Sequence, residues 1–154
     1  MKYITSALMP ILMVALVGAS CGGGVKKAGL APDAAKRTYV APGEKDEVYL
    51  FASGGYSGQM SVYGIPSGRL FRVIPIFSQD PTTGYGYSEE TKNMLKTTKG
   101  MMTWDDSHHP FLSKTKGMDD GRWIFINGNN TPRIARVSLK TFETEEIIEI
   151  PNSA

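Results

Sequence analysis

The chain says the same thing twice, 74 residues apart, and that repetition limits its fold more than any single motif does. Val48-Tyr49-Leu50-Phe51-Ala52 is a short apolar run that stops at Gly54-Gly55, as a buried strand and its turn would. Gln59 to Ile65 alternates loosely and ends at the turn signal Pro66-Ser67-Gly68. Leu70 to Phe77 is β-branched and apolar, with Pro75 arguing for an edge position or an early end. The series then returns: Arg122-Trp123-Ile124-Phe125-Ile126-Asn127-Gly128, next Ile134 to Leu139, next Glu146 to Ile150. Gly54 corresponds to Gly128 and Ile76 to Ile150 at the same offset, with no gap between these landmarks.

Repeated three-strand units of this kind suggest the blades of a β-propeller. The expected fold is therefore all-β: the first blades of a seven-bladed propeller, incomplete in this chain, the blade number resting on the resemblance given below. A plain β-sandwich or open sheet is the alternative architecture. The repeat is longer than the ~40–50 residues of ordinary blade repeats. The excess is an inter-blade insertion over 78–120 that carries the His-His-Pro segment as a loop, with one expected helix from Glu89 to Lys99 whose acidic residues come first and whose Lys96 and Lys99 come last, as the helix dipole favours. Two blades do not close a ring of roughly four to eight. Sheet faces and edges would stay uncovered, so residues 47–154 read as the N-terminal part of a longer propeller domain.

The front of the chain is organised differently. Met1-Lys2 is a short basic start, and Ile4 to Val17 is mostly apolar but broken by Pro10, the layout of a secretory signal peptide over 1–20. The run is shorter than the ~20 residues a membrane-spanning helix needs. Val17-Gly18-Ala19 offers a small-residue cleavage site, while Gly18-Ala19-Ser20-Cys21 resembles a lipoprotein box, so release after Ala19 competes with lipidation at Cys21. No twin-arginine pair is present, which points to the general secretory route and the periplasm. Cys21 is the only cysteine, which excludes an intramolecular disulfide. Residues 21–46, rich in Gly, Ala, Pro and Lys, read as a flexible leader or tether. A net charge of +2 is too slight for a nucleic-acid partner, and neither a phosphate loop nor a dinucleotide fingerprint occurs.

The chemistry is concentrated in Trp104-Asp105-Asp106-Ser107-His108-His109-Pro110, which holds both histidines of the chain. Imidazole suits copper, zinc and iron. Pro110 disfavours the helical region at His109 and is expected to hold it extended. Neighbouring side chains of an extended segment point to opposite sides. The two rings would then reach different ions of one cluster, or one would serve a metal while the other packs. Asp106 is placed to accept a hydrogen bond from a ligand's second ring nitrogen. A structural zinc site wants about four protein ligands and a catalytic one about three, so the rest would come from elsewhere. Without a metal, such a pair is a surface or structural feature.

Asp106-Ser107-His108-His109-Pro110, followed by Ser113, Thr115, Gly117, Asp120-Gly121-Arg122, Phe125, Asn127, Asn130, Arg133-Ile134-Ala135-Arg136-Val137 and Ile147 to Asn152, resembles the N-terminal region of nitrous-oxide reductase. Gly64-Ile65-Pro66-Ser67-Gly68-Arg69, Arg72 to Phe77 and Gly84-Tyr85-Gly86-Tyr87 fit as well, so the resemblance covers about residues 47 to 152. The export signal is similar to the branch of that family that uses the general secretory route. The resemblance implies a seven-bladed propeller around a sulfide-bridged four-copper cluster held by seven histidines. It also implies a C-terminal domain with a two-copper electron-entry site, and calcium as a further ion of the full-length protein. It implies reduction of nitrous oxide to dinitrogen and water in denitrification by a homodimer. An electron donor such as a c-type cytochrome and copper chaperones would be its partners. By position, His108 and His109 would be the first two cluster ligands and Asp106 a carboxylate behind them. Five ligands and the electron-entry domain are absent from these residues, so the chain alone is expected to be inactive.

Two further readings compete: an exported propeller that acts as a binding scaffold without metal, and a small two-histidine copper or zinc module. Asp119-Asp120-Gly121 has the composition of a calcium chelator but reads as a turn. Arg133 and Arg136 would line an anion path or pair with acidic groups between blades. Trp104 and Trp123 read as packing residues. Met94, Met101, Met102 and Met118 cluster near the histidines in sequence, where thioethers could meet Cu(I) or fill gaps.

Overall fold

A computed structural model of the chain describes residues 33–150. The signal-peptide reading of 1–20, Cys21 and the front of the leader lie outside the described residues. A five-residue helix, α1 (Ala34–Thr38), falls in the remainder of the leader.

The described body is all-β with one further short helix. Strands β1 (Val48–Ser53), β2 (Gln59–Ile65) and β3 (Leu70–Pro75) form an antiparallel sheet in that order. After an insertion come β6 (Ser107–Thr115), β7 (Met118–Gly128), β8 (Arg133–Ser138) and β9 (Thr144–Glu149), a four-stranded antiparallel meander. Between the sheets lie α2 (Glu89–Met94) and a small hairpin of β4 (Lys96–Thr97) and β5 (Gly100–Met101). As Pro75 foretold, β3 ends there and is an edge strand.

The two sheets share one core. Met60 and Val62 from β2, and Ile74 with the following Ile76 and Phe77, meet Ile124 and Ile126 from β7 and Ala135 and Val137 from β8. The spacing of two within each strand is what places these residues on one face. Each large apolar side chain so buried contributes about 1.5–3 kcal/mol. Phe51 and Phe142 pack against this core, and exposed Tyr49 and Phe71 continue from them as edge-to-face aromatic pairs with centroids 5.2–5.7 Å apart.

The expected helix from Glu89 to Lys99 is shorter than its charges suggested. Ser88 caps it by accepting from the Thr91 N–H, but the helix closes at Met94. Gly100, at φ +113, allows the chain to reverse into the β4–β5 hairpin, and Thr98 is pinned to Glu149 of β9 by two hydrogen bonds. The insertion is also shorter than 78–120, because β6 and the start of β7 belong to the second sheet.

Candidate metal centre

The His-His-Pro segment is not a loop: it opens strand β6, on the edge of the second sheet. Proline is tolerated on an edge strand or at a bulge, and Pro110 occupies both. The β6–β7 register slips between His108, opposite Asn127, and Phe111, opposite Phe125. His109 and Pro110 therefore face one residue of β7, the arrangement of a β-bulge.

The bulge overturns one expectation. His109 is not extended; its φ is +50, in the left-handed region. A non-glycine residue held there costs on the order of 1–3 kcal/mol, and such residues gather at functional sites. Nor do the two rings point apart. Their centroids are 5.6 Å from each other at an interplanar angle of 63°. The bulge adds a residue and re-aims the second ring, which simple alternation along a strand does not allow for.

Asp106 lies beside His108. One carboxylate oxygen, Oδ2, is 3.2 Å from His108 Nε2. The other, Oδ1, is buried and has no hydrogen-bond partner. With Nε2 turned to a carboxylate, Nδ1 is the His108 nitrogen left for another partner. His108 is half-buried and His109 exposed.

The residues that hold this segment were harder to foresee. Asp105 is fully buried and accepts hydrogen bonds from the N–H groups of Asp106 and Asn130 and from the Thr131 hydroxyl. Arg133, also buried, lies 3.5 Å from Asp105, donates to Thr131 and stacks over Phe77. Burial works to raise the Asp105 pKa. The Thr131 and Asn130 hydrogen bonds and the Arg133 charge outweigh it and hold the carboxyl below its ordinary range. Arg133 therefore pairs with a buried acid, and Arg136 with Glu145 and Glu146. Ser107 donates its N–H to the Gly55 carbonyl, which joins the start of β6 to the turn after β1. Trp104 donates to the Tyr56 carbonyl at 2.6 Å, and the two rings lie 4.8 Å apart. A buried Asp–Arg pair has no sequence signature of its own; the only hint was two adjacent aspartates before the histidines.

Other sequence suggestions separate from the site. Met118 sits at the far end of the β6–β7 hairpin, opposite Thr115, and so lies apart from the histidines. Asp120 binds Ser113, Thr115 and Arg122, which hold its pKa well below the ordinary range and leave it structural. Trp123 is a packing residue, flanked by Arg122 and Arg136 and bonded to Glu145. Among the described residues no three His, Cys, Asp or Glu side chains converge into a set that could hold a metal ion unaided. Two close imidazoles with a carboxylate behind one of them fit a share of a copper cluster, not the whole of one.

No family model matches the chain. Individual relatives do. It is 39% identical over 125 residues to a nitrous-oxide reductase of Pseudomonas fluorescens, covering 81% of this chain and 19% of the relative. It is 37% identical over 117 residues to that of Stutzerimonas stutzeri, covering 76% and 18%. It is 37% identical over 141 residues to that of Cupriavidus necator, covering 90% and 22%. The chain thus spans about a fifth of the length of the curated relatives it matches.

Proposed function

This chain belongs to the nitrous-oxide reductase family, and on that premise we propose that it is the N-terminal portion of a copper enzyme that reduces nitrous oxide. The observation that carries the proposal is the pair of imidazoles held 5.6 Å apart on a β-bulge, with a carboxylate behind His108, in a sequence related to that family along most of its length. His108 and His109 would be two of the ligands of the four-copper sulfide cluster. A cluster so held would supply the two electrons that nitrous oxide takes up, together with two protons, as it becomes dinitrogen and water. The chain's own part is orientation: Asp106, 3.2 Å from His108 Nε2, would set the tautomer of that ring, the bulge brings His109 alongside, and Asp105 with Arg133 anchors the backbone beneath both. The remaining ligands, the two-copper electron-entry site, the homodimer and its cytochrome-type donor would belong to the longer protein. Export through the general secretory route to the periplasm, with cleavage after Ala19 or lipidation at Cys21, is part of the same reading.

The test is made on the protein purified from its source. Wild-type protein is expected to contain copper and to turn over nitrous oxide, whereas His108→Ala and His109→Ala each lose both. The N-terminal mass of the same preparation reports the processing. Full copper occupancy in either alanine variant would remove that residue from the ligand set. A folded, copper-free wild type would favour the exported scaffold instead.

A further inference from the structure

A cavity of about 410 Å³, to whose lining neither histidine contributes, opens where the insertion meets the two sheets. One wall comes from β3, one from residues 83–94 of the insertion, and one from residues 142–144, where the turn after β8 enters β9. Its size lies in the range of small-molecule sites, about 300–1,000 Å³. Two hydrogen bonds tie the walls together. The Tyr85 hydroxyl donates to the Ile76 carbonyl at 2.7 Å, and the Thr144 hydroxyl to the Pro75 carbonyl at 2.8 Å. Phe142 is held at φ +56, a left-handed conformation that a bulky residue adopts only where its surroundings fix it. Here Tyr49 and Phe51 meet its ring edge-to-face.

The lining is rich in hydrogen-bond acceptors. The hydroxyl protons of Tyr85, Thr144 and Thr83 are spent on the Ile76 and Pro75 carbonyls and on the Asp80 carboxylate. A hydroxyl so engaged keeps a lone pair for a further donor. Two carboxylates stand beside them. Glu143 gives one oxygen to Arg72, at 3.3 Å, and its other oxygen has no partner among the described residues. The exposed side chain of Glu90 has none either. One guanidinium against two carboxylates leaves the lining with one net negative charge. The rings of Tyr85 and Phe142 complete the wall, and aromatic faces attract cations.

We propose that this cavity binds a small protonated amine from solution. A primary ammonium brings three hydrogen-bond donors and no acceptor, the complement of a lining whose own donors are largely spent. Glu90 and Glu143 balance its charge, the hydroxyl oxygens receive its N–H groups, and its alkyl part lies on Pro75 and Met94. A carboxylate or phosphate ligand would instead meet acceptors of its own sign. The inference uses no metal and neither histidine, so it stands or falls separately from the copper reading.

Ligand-detected NMR on the mature protein from its source tests it, with propylammonium chloride as the probe. Binding is expected to saturate in the millimolar range, as suits so few atoms. The neutral isostere 1-propanol is expected to bind at least about tenfold more weakly, and Glu90→Gln, a change at an exposed position, to weaken the probe about fivefold. Four results would each overturn the proposal: no saturation, equal binding of 1-propanol, an unchanged affinity in Glu90→Gln, or displacement of the probe by sodium at equal concentration, the mark of an inorganic cation site. Displacement by vesicles of phosphatidylethanolamine, whose headgroup carries the same ammonium, would overturn it in favour of a lipid.

Discussion

His109 carries the sharpest local conflict in the molecule. An imidazole followed by proline sits at φ +50, where glycine would be comfortable and histidine is strained. Strain of this kind persists only where surrounding structure fixes it, here the paired residues on either side of the bulge and the Asp105–Arg133 anchor. His109→Gly is expected to raise stability by about 1 kcal/mol in urea unfolding, while removing one of the two imidazoles. A loss of stability instead would show that the ring itself supports the fold. The residues that drew notice in advance were those whose type announces chemistry: two histidines, and an aspartate two positions before the first of them. The bulge could not be read, because it depends on how β6 registers against β7. Arg133 could not be placed either, since its partner lies 28 positions earlier in the chain.

At the scale of elements, β1, β2 and β3 and their counterparts were legible because alternation, turn residues and Pro75 agreed with one another. Strand β6 was not, because an edge strand that opens on His-His-Pro has the composition of a loop. The helix was read too long because its lysines continued past the point where Gly100 turns the chain. The repeated glycine has a physical reason visible only in three dimensions. A Cβ at Gly128 would meet the Asp105 carboxylate and, at 3.1 Å, the Thr131 carbonyl. A Cβ at Gly54 would meet the Ser57 hydroxyl and, at 2.8 Å, the Gln59 carbonyl. Each sheet thus brings another backbone against the same point of its repeat. Gly128→Ala is expected to cost about 2 kcal/mol by crowding. An unfolding midpoint unchanged from wild type would mean that the Asp105 network yields freely.

Across the whole molecule, acid should be the main chemical weakness. Asp46, Asp80, Asp105, Asp120 and Glu149 are all held below their ordinary pKa by hydrogen bonds, most of them with help from a nearby cation. A carboxylate depressed in the folded state adds stability that is fully present above its unfolded pKa and is lost as pH falls through the folded one. The urea midpoint is therefore expected to hold steady near neutrality and to fall continuously below about pH 4.5. A flat profile down to about pH 3 would contradict the network of paired acids. The contact between Trp104 and Tyr56 has an optical consequence. Rings 4.8 Å apart exchange excitation efficiently, so light absorbed by Tyr56 leaves as indole emission. Trp104 lies four residues before His108 on the same anchored segment. Its fluorescence is therefore a label-free gauge of whether that segment shifts when copper is supplied, readable in the cuvette before any gas is measured.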